Sequence, residues 1–591
     1  MFRERPTDSG AVPDAPHERR APVVLALCAC VAAAFILRAW ALWARQVVDY
    51  DEMYYYILGR NLVTGKGYVL NGLPHTAFPP LYPMAVGLAS LFSRDVRFST
   101  SLVTALAGAL LPVPIYLLGR DVYGRRAGLL AAAAAAVWPA LFFFSGKFVP
   151  YERRLYCGSE ALYVTLAAAG GLFLWRFARS GGWGRAVAAG AFFGLASLVR
   201  SEGPVVFAFL FLWLLVDSAV TRTLWSARRL AQAVVVAIAM LAVLSPFLVH
   251  VRMVTGRWSL GAKLANNVRI RDTLWDWSRR HKVEGFFAAH YRLSEDNSHM
   301  VDPYWGVSGW HRQEELAHGS LRSGLALVTA PDWRWLRVFA EALVKPPNAL
   351  VPWYAWLFII AAIAAPPWGE TRYQWWAFAA AVTLAMALLA VSLYVLPRHE
   401  LLLVALAAVE LGRGIEAGAL LVRRAAQSAL GAPAALGRAL ALLPAAGIFA
   451  AMTVAGVQAN LAGNSVPGRL PGLRGQEKDL EIARWLEANI PPGSTVMCNQ
   501  PWIAVWAGMD WRVSPSASPS RIADYAVKSK IDFAVLAPWQ LEARSGDASV
   551  LESCLMARPG SGGGAAVYDF RKAARQAAAA SMDAAPGKPG D

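Results

Sequence analysis

The sequence predicts a polytopic α-helical membrane protein with about eleven spans, followed by a small α/β domain outside the membrane. Three observations predict this class. The 591 residues are 56% hydrophobic, with a mean hydropathy of +0.38. Only 16% are charged, against roughly 25% in soluble domains. Long uncharged stretches alternate with short bursts of charge, which is the pattern of membrane spans and their loops.

The apolar runs that are long enough to form spans number about eleven. They lie near 21–43, 99–118, 127–146, 160–178, 186–199, 204–219, 231–250, 349–366, 375–396, 400–418 and 439–459. A twelfth candidate, 78–93, opens with Pro79-Pro80 and has Pro83 inside. A full span needs about twenty residues. We therefore interpret 78–93 as an interfacial or re-entrant helix that does not cross.

Basic residues set the predicted orientation. If 78–93 does not cross, every short basic cluster between spans falls on the side of Arg19 and Arg20. Lysine and arginine are enriched on the cytoplasmic side of membrane proteins, so the net charge of +17 is an orientation signal and no nucleic acid is expected as a partner. The chain is predicted to lie in the cytoplasmic (inner) membrane, with loops 44–98 and 251–348 outside.

The predicted organisation has four parts. Residues 1–20 form a cytoplasmic tail before an uncleaved first span, and 21–460 form the transmembrane domain. Residues 461–575 form a soluble, extracytoplasmic α/β domain, because a helix over 478–489 and strands over 494–498, 531–536 and 565–570 alternate along the chain. Residues 576–591 are a disordered tail rich in Ala, Gly and Pro. Cys498 and Cys554 fall in the α/β domain, where a disulfide is left open.

Three carboxylates follow the first span within four residues: Asp49, Asp51 and Glu52. Such a cluster can act as a general base that removes a hydroxyl proton. It can also hold a divalent cation through its oxygens. The structural alternative is a solvated acidic loop without chemistry.

A second set of charged residues recurs at the outer ends of later spans. It comprises Glu160 and the arginines Arg153, Arg154, Arg200 and Arg398. An ionisable residue at a span end is costly unless it is used or paired, and the planar arginine fork fits phosphate oxygens. Structural alternatives are lipid-headgroup contacts for Arg153 and Arg154, a pair between Arg200 and Glu202, and snorkelling of Arg398. Together these residues predict a site for a phosphate-bearing lipid and a nucleophile that must lose a proton.

Several blocks of the sequence resemble a known group of enzymes. They are Asp51-Glu52, Gly59-Arg60-Asn61-Leu62, Gly65-Lys66-Gly67-Tyr68, Pro79-Pro80-Leu81-Tyr82-Pro83, Ser159-Glu160, Val199-Arg200-Ser201-Glu202-Gly203 and Pro397-Arg398-His399. In order and spacing they resemble the polytopic glycosyltransferases with the GT-C fold. The resemblance is to bacterial relatives of the dolichyl-phosphate-mannose protein mannosyltransferases and of the aminoarabinose transferase that modifies lipid A. It covers 45–260 well, and 390–420 and the terminal domain loosely.

The resemblance implies an inverting transfer of a sugar from a polyprenyl-phosphate donor to a hydroxyl of a lipid, glycan or protein acceptor. Asp51 would be the base, with Asp49 competing for the role and Glu52 beside them, and Glu160 would position donor or acceptor. Basic residues would stabilise the leaving phosphate. The candidates are Arg60, Lys66, Arg153, Arg154, Arg200 and Arg398. A divalent cation stays possible, and no other cofactor is expected.

The sequence departs from the pattern of this family at two positions. Phe78 stands where some relatives have a basic residue before the Pro-Pro pair, and His399 replaces the common Tyr.

Two other classes of function are open. A transporter or flippase of a lipid-linked or anionic substrate would carry its charges near mid-bilayer on broken helices, whereas the charged residues of this chain lie at span ends. A non-catalytic relative is the third hypothesis, against which the retained acids argue weakly.

Overall fold

The computed structural model describes residues 20–43, 48, 50–142, 158–223, 226–256, 258–260, 293–298, 351–392, 401–429, 431–464, 471–515, 517–536, 549–559 and 565–571. Four predicted site residues lie outside these ranges, namely Asp49, Arg153, Arg154 and Arg398. Most of loop 251–348 and the tail 576–591 lie outside them as well.

Helices dominate the first part of the chain. They are α1 (Arg20–Trp43), α2 (Tyr50–Val63), α3 (Leu81–Ala89), α4 (Val96–Leu110), α5 (Pro112–Tyr123), α6 (Arg125–Val137), α7 (Pro139–Phe142), α8 (Glu160–Ser180), α9 (Trp183–Val199), α10 (Gly203–Val220) and α11 (Ala227–Thr255). They continue with α12 (Trp353–Ala364), α13 (Glu370–Ser392), α14 (Leu401–Ala429), α15 (Ala434–Leu440) and α16 (Leu443–Asn464). Each of the eleven predicted apolar runs is helical over at least part of its length.

Six segments of the described chain are long and apolar enough to cross a membrane. They are Ala21–Trp43, Val96–Tyr123, Glu160–Ser180, Gly203–Val220, Ala227–Thr255 and Ala434–Gln458. Trp183–Val199 and Trp353–Ala364 are apolar but shorter. This confirms the predicted class, a mostly helical protein with several candidate spans. The count of eleven spans stays a prediction.

The segment that follows α1, predicted to be the first outer loop, has a defined fold of its own. After α2 the chain forms a hairpin in which β1 (Val69–Leu70) pairs antiparallel with β2 (Leu73–Pro74). Asn71 and Gly72 form its turn with φ of 54° and 79°, and two consecutive positive φ angles are what a tight hairpin requires. The helix α3 has nine residues, about 13.5 Å at 1.5 Å per residue. A hydrocarbon layer is about 30 Å thick, so α3 is too short to cross it.

Helices α2 and α3 meet backbone to backbone at two glycines. A Cβ added at Gly59 would lie 2.0 Å from the carbonyl oxygen of Pro83, and one at Gly87 would lie 2.2 Å from the carbonyl oxygen of Gly59. Neither contact can be relieved by rotating a side chain, because the opposing atoms are backbone. The close approach therefore fixes the position of α2 on α3.

We expect Gly87→Ala to destabilise the protein by about 1–3 kcal/mol, as overpacking of a close contact does. Its measure is the thermal unfolding midpoint of the purified full chain in detergent. Gly184→Ala is the matched control, because it is also helical and its added Cβ meets nothing within 4 Å. Equal midpoints for Gly87→Ala and Gly184→Ala would show that the α2–α3 contact tolerates expansion.

The last part of the chain forms a five-stranded mixed sheet in the order β4-β3-β5-β7-β6. Its strands are β3 (Thr495–Met497), β4 (Asp510–Arg512), β5 (Phe533–Leu536), β6 (Leu555–Ala557) and β7 (Ala566–Asp569), with helices α17 (Pro471–Asn489), α18 (Pro501–Trp506), α19 (Pro519–Lys528) and α20 (Ser549–Glu552). Strand β3 pairs in parallel with β4 and β5, whereas β7 pairs antiparallel with β5 and β6. Cys498 and Cys554 are buried in this region as free thiols, not as a disulfide.

Candidate functional site

The first turn of α2 carries two of the predicted carboxylates. Glu52 is fully buried, and Asp51 is partly exposed. The start of a helix favours negative charge because its backbone N–H groups are unpaired there. Asp51 is therefore the described acid of this cluster that remains accessible to a substrate.

A buried ion cluster lies where α8, α9 and α10 end or begin. One Nη of Arg200 donates to Glu160 at 2.9 Å and to the Ser159 hydroxyl at 3.1 Å, and the other donates to Glu202 at 2.8 Å. All three charged side chains are almost fully buried. We call these residues (Ser159, Glu160, Arg200 and Glu202) the Arg200 cluster.

The local backbone explains why these residues meet. Helix α9 ends at Val199, and Arg200 adopts an extended conformation with φ −144° and ψ 140°. A short turn then places Glu202 just before α10, while Glu160 opens α8. The break between α9 and α10 thus aims Arg200 across to the start of α8. One guanidinium thus serves two carboxylates in this cluster.

Tyr55 connects the Arg200 cluster to Asp51. Its phenol lies close enough to interact with Ser159, Asp51, Arg200 and Glu160. Burial raises the pKa of Tyr55, and the charge of Asp51 raises it further, so the phenol stays neutral. The structure therefore brings Asp51, Glu160 and Arg200 together around one tyrosine, as the sequence predicted for the three charged residues.

The sequence alone does not identify Tyr55 as a residue of the site. It lies four residues after Asp51, and residues at that spacing share one face of a helix. Three consecutive tyrosines, Tyr54 to Tyr56, hide this signal, since only one of them faces the cluster. Phe78 packs edge-on against Tyr55 at 5.0 Å, so an aromatic side chain fills the place where some relatives have a basic residue.

Arg200 does not have the free guanidinium that a phosphate ligand needs. Both of its Nη atoms donate to carboxylates. Burial alone would lower the pKa of Arg200. The charges of Glu202 and Glu160 outweigh that effect and hold the pKa above its usual range. The arrangement corresponds to the structural alternative, in which Arg200 pairs with Glu202, extended by Glu160. The predicted contact between Arg200 and a donor phosphate is not supported by it.

Arg60 and Lys66 are not brought to Asp51 either. Nine residues separate Asp51 from Arg60 on α2, which is about two and a half turns and places them on opposite faces. Arg60 donates to the Tyr56 hydroxyl at 2.9 Å, and Lys66 forms an ion pair with Asp510 at 2.7 Å. The structure thus places these two predicted phosphate contacts at a different surface.

The remaining predicted site residues stay predictions. Asp49, Arg153, Arg154 and Arg398 lie outside the described residues. Within the described ranges, no group of three or more His, Cys, Asp or Glu side chains has the geometry to hold a metal ion. Since Asp49 is outside those ranges, the possible divalent cation at Asp49, Asp51 and Glu52 is not tested.

The C-terminal sheet covers part of α2 beside Asp51. The rings of Tyr50 and Trp502 lie 4.8 Å apart, and those of Tyr54 and Trp511 lie 5.7 Å apart. Trp502 belongs to the short helix α18 and is anchored by donating to Asp479 at 2.7 Å. Residues from both ends of the chain therefore form one aromatic wall next to the accessible carboxylate.

The structure is similar to solved structures of one class of membrane enzyme. Crystal structures of ArnT from Cupriavidus metallidurans, bound to undecaprenyl phosphate and in the apo state, match with TM-scores of 0.54 and 0.52. Each is 16% identical, and the match covers 93% of this chain and 98% of ArnT. The oligosaccharyltransferase of Archaeoglobus fulgidus in the apo form matches with a TM-score of 0.49 at 15% identity, over 91% of this chain and 73% of that chain. The ArnT match shows that the chain has the GT-C fold.

Sequence comparison adds a narrower likeness within that class. Residues 78–250 match the family model described as dolichyl-phosphate-mannose-protein mannosyltransferase. No curated protein sequence matches the chain significantly. The resemblance predicted from the sequence blocks, to GT-C glycosyltransferases related to the protein mannosyltransferases, is confirmed.

Proposed function

We propose that the protein is a glycosyltransferase that moves a sugar from a polyprenyl-phosphate donor to an acceptor hydroxyl at the outer face of the cytoplasmic membrane. The observation that carries this proposal is the position of Asp51, a partly exposed carboxylate in the first turn of α2, next to the buried Arg200 cluster and Tyr55. The fold supports it, since ArnT shares the fold and its crystal structure holds undecaprenyl phosphate.

The proposed step is a single displacement. Asp51 accepts the proton of the acceptor hydroxyl, and the oxygen attacks the anomeric carbon from the side opposite the phosphate. The bond between that carbon and the phosphate oxygen breaks, and the electron pair leaves with the polyprenyl phosphate. One displacement inverts the anomeric centre. A phosphate leaving group needs little protonation, so one base suffices, whereas glycoside hydrolysis uses two carboxylates that flank the bond.

The Arg200 cluster has a positioning role in this proposal. Arg200 ties the start of α8 to the break between α9 and α10, and Tyr55 on α2 lies next to this cluster. General-base catalysis depends on hydrogen-bond reach between the base and the proton that it removes. A fixed α2 keeps Asp51 at one place relative to a bound donor. Glu52 is fully buried, so the proposal gives it no direct contact with the acceptor.

The proposal is tested by reconstituting the full chain in proteoliposomes with undecaprenyl-phosphate-linked sugars. Either a lipid extract of the host envelope or the delipidated envelope supplies the acceptor. We expect free undecaprenyl phosphate to appear together with an equal amount of glycosylated acceptor, both measured by mass spectrometry. Movement of the donor between leaflets without a new glycosidic bond would instead identify a flippase and contradict the proposal.

A further inference from the structure

A cavity lies on the face of α2 that points away from Asp51. Its volume is about 270 Å³, and it lies open to the surface between α2, the β1–β2 hairpin and strand β4. The side chains that matter here are Arg60, Lys66, Asp510 and Arg512. Pockets for drug-sized ligands are typically about 300–1,000 Å³, so this one suits a small group rather than a whole lipid or oligosaccharide.

The lining of this cavity has more positive than negative charge. Three cations face one carboxylate, and Lys66 pairs with that carboxylate, Asp510, at 2.7 Å. Arg60 donates only to the Tyr56 hydroxyl, and Arg512 only to the carbonyl of Trp511, among the described residues. In the same part of the chain, neither guanidinium forms an ion pair with a carboxylate. The guanidinium groups of Arg60 and Arg512 therefore line one small cavity, and each has N–H donors that no described residue accepts.

Arg512 is held in place by the hairpin opposite it. A Cβ added at Gly72 would lie 2.7 Å from Nη2 of Arg512, so the guanidinium packs directly on the glycine. The Asn71 side chain accepts from the backbone N–H of Val513 at 2.9 Å, which fastens the same turn to the chain just after β4. Burial lowers the pKa of Arg512, and the charge of Asp510 offsets this only in part. A fixed, partly desolvated cation gains most from an anionic ligand.

We infer that this cavity is a second anion site, which binds a phosphate or carboxylate group between the first outer loop and the C-terminal sheet. Arg60 and Arg512 supply planar forks that match such oxyanions. Lys66 is exposed at the rim and can exchange Asp510 for the ligand. The site is distinct from the one at Asp51, because Arg60 and Asp51 occupy opposite faces of α2. Its occupant bridges two parts of the chain that are far apart in sequence.

Binding is measured on the full chain in nanodiscs by isothermal titration with inorganic phosphate at constant ionic strength. We expect saturable binding that Arg512→Gln and Arg60→Gln each weaken at least tenfold. Arg484→Gln, an exposed arginine on α17 of the same region, is the matched control and leaves the affinity unchanged. Asp510→Asn acts in the opposite direction and tightens phosphate binding, because it frees Lys66 and removes the one negative charge.

A second arm identifies the source of the anion. The titration is repeated in nanodiscs of phosphatidylglycerol and of phosphatidylcholine. If phosphate binds in phosphatidylcholine but is excluded in phosphatidylglycerol, with both effects lost in Arg512→Gln, the site takes a lipid headgroup. If it binds equally in both, the site takes a soluble anion. No saturable binding in either membrane, or binding that all four variants leave unchanged, overturns the inference. None of these readouts depends on sugar transfer, so they stand apart from the proposed enzymatic activity.

Discussion

Asp51→Asn is expected to abolish sugar transfer while the protein still inserts and folds. The amide keeps the shape of the side chain but cannot accept a proton from the acceptor hydroxyl. General-base catalysis contributes about 10²–10⁴-fold to a rate, so the loss should be at least of that order. The side chain is partly exposed at the first turn of α2, so the substitution disturbs no packed core. Single-turnover transfer from a polyprenyl-phosphate sugar measures the chemical step.

The control for this experiment is a neighbouring carboxylate in the sequence. Asp49→Asn changes a carboxylate two residues earlier, and it should retain transfer if Asp51 is the base. Thermal unfolding of both variants separates a chemical defect from a folding defect. Normal transfer by Asp51→Asn together with loss in Asp49→Asn would move the base to Asp49. Normal transfer by both variants would contradict the proposed mechanism as a whole.

Much of the fold could be predicted because local patterns determine it. Strand β5 was predicted over 531–536 and is observed at Phe533–Leu536, where all four residues are buried. A short apolar run bounded by turns is the signal of a buried strand. The short helix α3 follows from the proline pair and the length of segment 78–93, both of which are local. The membrane helices follow equally from long uncharged runs.

The site could be predicted only in part, because its contacts join distant segments. Asp51 and Glu160 are more than a hundred residues apart, and only their predicted depth suggested that they meet. That both ends of Arg200 are held by carboxylates depends on the helix break at Val199. The ion pair between Lys66 and Asp510 joins residues 444 positions apart. The position of Arg60, by contrast, was within reach of the sequence: nine residues after Asp51, helical periodicity already sets it on the opposite face.

Arg200→Met is expected to destabilise the protein more than any other single change discussed. It removes the Arg200 guanidinium from Glu160 and Glu202, both of which are almost fully inaccessible. Removing one partner of a buried ion pair costs about 3–5 kcal/mol, and here one guanidinium serves two carboxylates. We expect a marked fall in the thermal unfolding midpoint and in the amount of protein inserted. Arg200→Lys should be intermediate, because a compact ammonium cannot bridge both carboxylates as the planar fork does.

Neutralising the partners should reverse this loss. Glu160→Leu and Glu202→Leu combined with Arg200→Met replace all three buried charged side chains by apolar ones, and such replacements are often neutral or stabilising. The triple variant should therefore recover the unfolding midpoint of the wild-type protein. Its transfer rate then separates two roles of the Arg200 cluster. Recovered stability with lost transfer requires that the charges position Tyr55 and Asp51 for the reaction, whereas recovery of both would restrict the cluster to holding α8, α9 and α10 together.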